Sequence, residues 1–336
     1  MPESCTKQTP RCKDMLLLAA ELAARNVYWR LPWLRAWVRQ RRARRPPAPQ
    51  VARREDLKAH LRSIGVTEGA LVMVHTSVRG FRLLDDARDP NGTSGFLAAA
   101  GNLVDDLLAL LGPSGTLVMP THTAQQNTDD DDAAPGAGRV PIVYNPARTP
   151  CAVGLANELF RRRPGVQRSL HPYNTLSACG PLAEELLRDN LNDSKPLPHG
   201  VHSAYYRFCQ RNGLVVSIGI PLGDCLTLVH TAEDVRENDF PFKDFIEERR
   251  YVVRIDGENR DVAVRQQRRE YSMYCRCHRK LIRDIVGAGI LHEDTVGSAR
   301  VGWAHSREVF DYLMQRNRER SYPLYCTWLV RKAAGA

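Results

Sequence analysis

The stretch ALVMVHTS, Ala70–Ser77, decides the fold. It is a short apolar run that ends in a histidine and two hydroxyl residues. A second run of the same build, GTLVMPTHT, occupies Gly115–Thr123. Between them GFLAAAGNLVDDLLALLG carries apolar residues at helical spacing and stops at Gly112. Strand, helix and strand within about fifty residues suit a right-handed parallel crossover, in which ligands gather at the carboxyl ends of the strands.

The neighbouring segments extend the pattern. REDLKAHLRSIGV reads as a helix ended at Gly65, and VGLANELFRRRPG as one closed by Pro164 and Gly165. PLAEELLRDN is another helix. GLVVSIGI, Gly213–Ile220, is a continuous apolar run and therefore a buried strand. GDCLTLVHTAEDV leads from a turn into a helix, and SREVFDYLMQRN is helical near the C-terminus. YVVRI and DVAVR flank DGEN, the signature of a hairpin around Asp256 and Gly257. QNTDDDDAAPGAGRV, Gln126–Val140, lacks core-forming residues and reads as an acidic loop. The expected fold class is α/β: a mixed, largely parallel central sheet flanked by helices, with a C-terminal β-hairpin region and a helical, basic N-terminal extension.

Charge separates that extension from the body. The net charge of the 336 residues is +10. Residues 1–54 hold 13 lysines and arginines against three acids, so the excess lies there, and the remainder balances 35 bases with 35 acids. The body therefore shows no general nucleic-acid-binding surface. Leu16, Ala20, Ala23, Val27, Leu31, Leu34 and Val38 recur at helical spacing across residues 15–40, with a kink or split expected at Pro32. Tyr28, Trp29, Trp33 and Trp37 lie among arginines, and RQRRARRPPAPQ follows as a cationic, proline-rich linker. Residues 1–50 are thus expected to form the extension and 51–336 a single domain. Apolar bulk interleaved with cations is what an interfacial helix presents to anionic lipid. The plainer alternative is a helix packed on the body with a solvated basic tail. Residues 15–54 on an anionic membrane surface would make the protein cytoplasmic and peripheral at the inner membrane.

Several chemistries are disfavoured. Met15–Ala20 is broken by Glu21, so a signal-peptide layout is missing, and no apolar run is long enough to span a bilayer. There is no GxSxG elbow, no GxxxxGK[ST] loop and no GxGxxG opening a helix. Nine cysteines without framework spacing indicate free thiols in a reducing compartment. CRCH at Cys275–His278 lacks the second ligand pair of structural zinc, so no metal is expected. What remains is a set of polar groups at the ends of apolar runs: His75-Thr76-Ser77, Thr121-His122-Thr123, and His230 with Glu233, three apart and hence on one helix face. His171 is a fourth, in RSLHPYNTLSACG. Each alone is as compatible with an ordinary turn or a core histidine as with a site. Together at one sheet edge they would make one.

LVMVHTSVRGF, GPSGTLVMPTHT, NPARTP, RRRPGVQRSLHPYNTLSACGPLAEEL and LTLVHTAEDV occur in this order. In that order and spacing they resemble the antibiotic N-acetyltransferase family, whose members acetylate the 3-amino group of aminoglycosides with acetyl-CoA. The resemblance covers Val51–Asn317, most specifically at Arg168–Pro172 and Thr227–Glu233. It implies acetyl-CoA as co-substrate and a small-molecule amine as partner. It implies that His171 is the general base, with Glu233 orienting or polarising it. The turn His75, Thr76, Ser77, Val78 and Arg79 would meet the coenzyme pyrophosphate, while Thr121, His122 and His230 would line the acceptor cleft. Chemistry agrees, because an attacking amine must lose a proton and imidazole titrates in the useful range. Thr227, Thr76 or a backbone amide would donate to the thioester oxygen. The charge-neutral body leaves an alternative acceptor, an amino sugar of a surface polysaccharide, lipid-linked precursor or natural product. A non-catalytic binding protein on the same fold is the second alternative.

Overall fold

The structure is a computed structural model. It describes residues 12–44, 50–77, 81–84, 96–124, 141–191, 197–235, 245–268, 271 and 274–318. The acidic run Gln126–Val140 and the turn residues Val78 and Arg79 lie outside the described residues.

The two runs that define the crossover are strands. β2 (Leu71–Thr76) and β4 (Thr116–Pro120) pair in parallel through Leu71 and Thr116, with the helix Phe96–Leu111 between them in sequence. β8 (Leu214–Ile218) pairs in parallel on the other side of β2, with His75 opposite Ser217. β4 and β8 are buried throughout and β2 is buried from Val72 onward, because both faces are covered, as parallel strands require. One face carries Val72, Val74, Leu103, Leu107 and Val216. The other carries Met73, Val215, Tyr205, Phe208 and Leu228.

Within this sheet, parallel pairing is confined to the centre. β7 (Leu176–Cys179) and β6 (Gln167–Arg168) extend the sheet antiparallel beyond β4, and β12 (Ala299–His305) and β11 (His292–Val296) do so beyond β8. The seven-stranded order is β11-β12-β8-β2-β4-β7-β6, and β1 (Gln50–Arg53) pairs with β3 (Phe81–Leu84) in a separate two-stranded sheet. Gly180 ends β7 at φ 122°, and a Cβ there would strike the Gly115 carbonyl, so the strand turns away against the backbone of the adjoining element.

The expected hairpin is present as β9 (Ile246–Ile255) and β10 (Glu258–Gln267). Its two-residue turn, Asp256 at φ 50° and Gly257 at φ 89°, has the left-handed pair that matches strand twist. β5 (Ile142–Tyr144) joins β9 in parallel.

The N-terminal helix divides at Pro32 into α1 (Cys12–Arg30) and α2 (Pro32–Arg44), since proline suits a first helical turn and not an interior. α1 is docked on the body. Leu22 is buried against Cys277, Asn26 Nδ2 donates to the Tyr274 carbonyl at 3.0 Å, and Glu21 accepts from the Arg279 amide at 3.1 Å. Its other flank is bare, with Leu16 67% and Leu17 58% exposed, as are Trp33 and Trp37 on α2. Among the described residues, no helix is long and apolar enough to cross a membrane.

Candidate active site

The carboxyl ends of β2, β4 and β8 lie on one edge of the sheet. β7 runs antiparallel to β4, so the segment that precedes it, Ser169–Thr175, reaches the same edge. This topology brings His75, Thr121, His122 and His171 together. The segment after β8, a 3-10 turn at Thr227–His230 and a short helix at Thr231–Val235, adds His230 and Glu233. The convergence anticipated from four separate motifs is therefore a property of the fold.

The loop that holds His171 is fastened throughout. The Arg168 guanidinium bonds the carbonyls of Thr121, Pro146 and Thr149 and lies 5.3 Å over the Tyr144 ring. Tyr144 Oη donates to the Ser169 carbonyl at 2.6 Å. Ser169 Oγ accepts from the His171 amide at 3.1 Å. His171 is 4% exposed, and its Nδ1 lies 2.9 Å from the Tyr173 carbonyl and 3.2 Å from the Tyr173 amide. The shorter contact fits an Nδ1–H donor, and that tautomer leaves the lone pair on Nε2. His171 lines a small cavity with Tyr173, Asn174, Ser203 and Tyr205.

Glu233 has a different described partner from the one the resemblance assigned. Its Oε2 lies 3.0 Å from His230 Nδ1 and accepts from Gln267 Nε2, whereas the group on His171 Nδ1 is a backbone carbonyl. The three-residue spacing of His230 and Glu233 does pair them on one face. A second imidazole–carboxylate pair stands beside them. His199 Nδ1 is 3.0 Å from Asp234 Oδ2, and the His199 and His230 rings are 5.4 Å apart. Reading the sequence missed His199 and Asp234. PLPHG looks like a loop, and Asp234 follows Glu233 so closely that one acid was assigned where two contact histidines. The signal was the doubled acid in HTAEDV, which supplies two carboxylates for two histidines.

Other expected contacts are already committed. Thr121 is fully buried and its hydroxyl meets Ser177 Oγ at 3.0 Å, so it braces β4 against β7 and does not face a cleft. Thr76 Oγ1 donates to Asn157 Oδ1 at 3.1 Å, and the Ser77 amide continues the strand pairing to the Ile218 carbonyl. Those two groups are therefore spent within the protein, and the Ser77 side chain, half-buried, is the more open part of the described turn. His122 Nε2 is 3.2 Å from Tyr205 Oη, whose hydroxyl also bonds Thr227. Thr227 Oγ1 lies 3.3 Å from the Cys225 carbonyl.

Burial dominates the electrostatics of this edge. It lowers the pKa of His75 to about 4. It lowers His122 to about 3, with the neighbouring His75 and His199 adding to the effect. It holds His230 well below the ordinary imidazole range, and it pushes the Tyr205 hydroxyl up, so that group stays a donor. Burial likewise raises the thiols of Cys151, Cys179, Cys209 and Cys225, which makes them poor nucleophiles. Among the described residues, no group of three or more histidines, cysteines and acids could hold a metal ion.

A sequence model of the family described as aminoglycoside 3-N-acetyltransferase matches residues 73–317. The chain belongs to the aminoglycoside 3-N-acetyltransferase family. It is 34% identical to aminoglycoside N(3)-acetyltransferase IV from Salmonella over 184 residues, 54% of this chain and 58% of that one. It is 28% identical to aminoglycoside N(3)-acetyltransferase VII from Streptomyces paromomycinus, over 77% of this chain and 89% of that one. The fold is similar to that of solved aminoglycoside acetyltransferase AAC(3)-IVa, with TM-score 0.60, 26% identity and coverage of 83% of this chain and 94% of that one. It is also similar to AAC-IIIb, solved with CoASH, with TM-score 0.63, 23% identity and coverage of 80% and 97%. Family membership makes this chain an N-acetyltransferase that uses acetyl-CoA.

Proposed function

We propose that the protein moves the acetyl group of acetyl-CoA to an amine of an aminoglycoside or a related amino sugar, with His171 Nε2 as general base. The observation that carries this is the 2.9 Å contact between His171 Nδ1 and the Tyr173 carbonyl, on a buried loop at the polar edge of the sheet. The neutral amine nitrogen attacks the thioester carbon and its proton passes to Nε2. The carbon–sulfur bond then breaks, and the thiolate takes that proton from the imidazolium, leaving an amide and free coenzyme thiol. Both substrates react directly, which the burial-raised thiols favour over a cysteinyl intermediate. Thr227 Oγ1 is held to the Cys225 carbonyl by a long 3.3 Å bond, and rotation would turn its proton to the thioester oxygen. Glu233 supports this edge by orienting His230, and the Ser77 side chain is the described part of the turn offered to the coenzyme. A variant of AAC(3)-IVa has been solved with apramycin, which supports the acceptor class.

The test is thiol release from acetyl-CoA against aminoglycosides and simple amino sugars. Release that depends on amine and falls at least 100-fold in His171→Ala supports the reading. Wild-type silence across the panel would favour a binding protein, and a response to non-aminoglycoside amino sugars alone would favour the biosynthetic acceptor.

The outward face of α1 and α2 is proposed to lie on an anionic membrane surface, as an extension separable from the body at about residue 50. Leu16, Leu17, Trp33 and Trp37 are exposed, while Arg41 stacks 5.1 Å over Trp37 and Arg35 5.5 Å over Trp29. Residues 1–50 carry +8 of the net charge of +10. This arrangement would place the enzyme at the inner face of the cell membrane. Deleting residues 1–49 should abolish sedimentation with phosphatidylglycerol vesicles and leave thiol release intact. Unchanged sedimentation would contradict it.

A further inference from the structure

We infer that His199 and Asp234 form a positioning pair that holds Asn174, and through Asn174 the Tyr173 carbonyl that caps His171. The inference rests on the base reading of His171 and adds two residues to it. Asp234 Oδ2 lies 3.0 Å from both the backbone amide and Nδ1 of His199, so it grips the residue at two points. With Nδ1–H donating to the carboxylate, Nε2 is left as an acceptor. Asn174 Nδ2 fills it at 3.0 Å. His199 is 1% exposed and Asp234 3%, so neither pair of atoms is competed for by bulk water.

Asn174 is the residue through which this pair acts. Its φ of 50° lies in the left-handed region, which costs a non-glycine residue energy unless its side chain is held. The bond to His199 holds it. The peptide preceding Asn174 carries the Tyr173 carbonyl, and that carbonyl is 2.9 Å from His171 Nδ1. The sequence of contacts is therefore Asp234, His199, Asn174, the Tyr173 carbonyl, His171. Without the anchor, the peptide is free to rotate, and the Tyr173 amide, already 3.2 Å from Nδ1, can donate to it instead. That exchange would move the ring proton to Nε2 and remove the base. The Tyr205 ring, 4.8 Å from the His199 ring, packs against the imidazole and supports its plane.

The test uses His199→Ala, Asn174→Gly and their double variant, with Asp234→Ala and Asp234→Asn. Glycine keeps the left-handed backbone at 174, so that variant removes only the side chain. His199→Ala, Asn174→Gly and Asp234→Ala should each lower kcat about ten- to hundred-fold with KM within about three-fold, as expected of a misplaced base. The double variant should be no worse than either single one, because both break one chain of contacts. Asp234→Asn keeps an acceptor oxygen for His199 and should recover most of kcat. In parallel, nitrogen-15 resonances of the His171 ring should move from the Nδ1–H toward the Nε2–H pattern in Asn174→Gly. Multiplicative losses in the double variant, a change confined to KM, or an unaltered His171 tautomer would overturn the inference. The tautomer reading needs no turnover, so it separates failure of this inference from failure of His171 as base.

Discussion

At the carboxyl edge of the sheet, His75, His171, His199 and His230 are buried and His122 is half-buried, whereas Leu16, Leu17, Trp33 and Trp37 on the first two helices face solvent. Each region departs from the usual rule of apolar inside and polar outside, in opposite directions. At the edge, burial disfavours the charged form of His75, His122 and His230, and His171, His122, His199 and His230 each meet a carbonyl, a hydroxyl or a carboxylate. On the helices, Leu16, Leu17, Trp33 and Trp37 are left exposed and are interleaved with arginines. The difference teaches where each region's partner comes from. The edge finds its polar partners within the chain, while the helical face, on the membrane proposal, meets a surface outside it.

This contrast can be broken at several points. The largest effect is expected at Arg168, whose guanidinium bonds three carbonyls from segments that converge on the His171 loop. Arg168→Ala removes the shared donor of those carbonyls, of which Thr121 alone keeps a described bond, from Thr175 Oγ1, and should cost about 3 kcal/mol or more in urea denaturation. A loss below about 1 kcal/mol would mean that the loop is held by something else. Next come the buried imidazoles. Their pKa values in the folded protein, about 4 for His75 and about 3 for His122, lie below the unfolded value near 6.5. Their neutral burial therefore contributes fully above pH 6.5, and stability is lost as pH falls from there toward 4. The slope should be up to about 1.4 kcal/mol per pH unit for each imidazole. His122→Gln should flatten the loss between pH 6.5 and 4.5, and an unchanged slope would contradict neutral burial. The smallest effect is expected on the helices. Trp33→Ser with Trp37→Ser should change folding stability by no more than about 0.5 kcal/mol and yet weaken vesicle binding at least ten-fold.

Much of the architecture was readable because central parallel strands are apolar throughout, so ALVMV, GTLVMP and GLVVSI announce themselves. The Pro32 split and the Asp256-Gly257 turn were readable for a local reason, since each conformation is imposed by residue type. β11 and β12 were not, because β11 is an exposed edge strand whose HEDTV carries no apolar alternation. The site was legible as isolated polar strand ends and, through family resemblance, as His171 and Glu233. The three-residue spacing already put Glu233 beside His230, but the pairing of Asp234 with His199 was not legible. Three-dimensional packing gives Glu233 to His230 and Asp234 to His199, and nothing in the spacing of His199 from Asp234 encodes a 3.0 Å contact. Thr76 and Thr121 looked available from sequence, but their hydroxyls brace the strands that carry them.

The central claim is that one imidazole, His171, takes the proton from the attacking amine. The most direct measurement is kcat/KM for acetyl transfer to an aminoglycoside across pH 5.5–8.5, in the wild type and in His171→Gln. The wild-type rate should fall on the acid side as the base becomes protonated, and the variant should be at least 100-fold slower with that fall abolished. A variant that keeps the wild-type rate and the same acid limb would contradict the account.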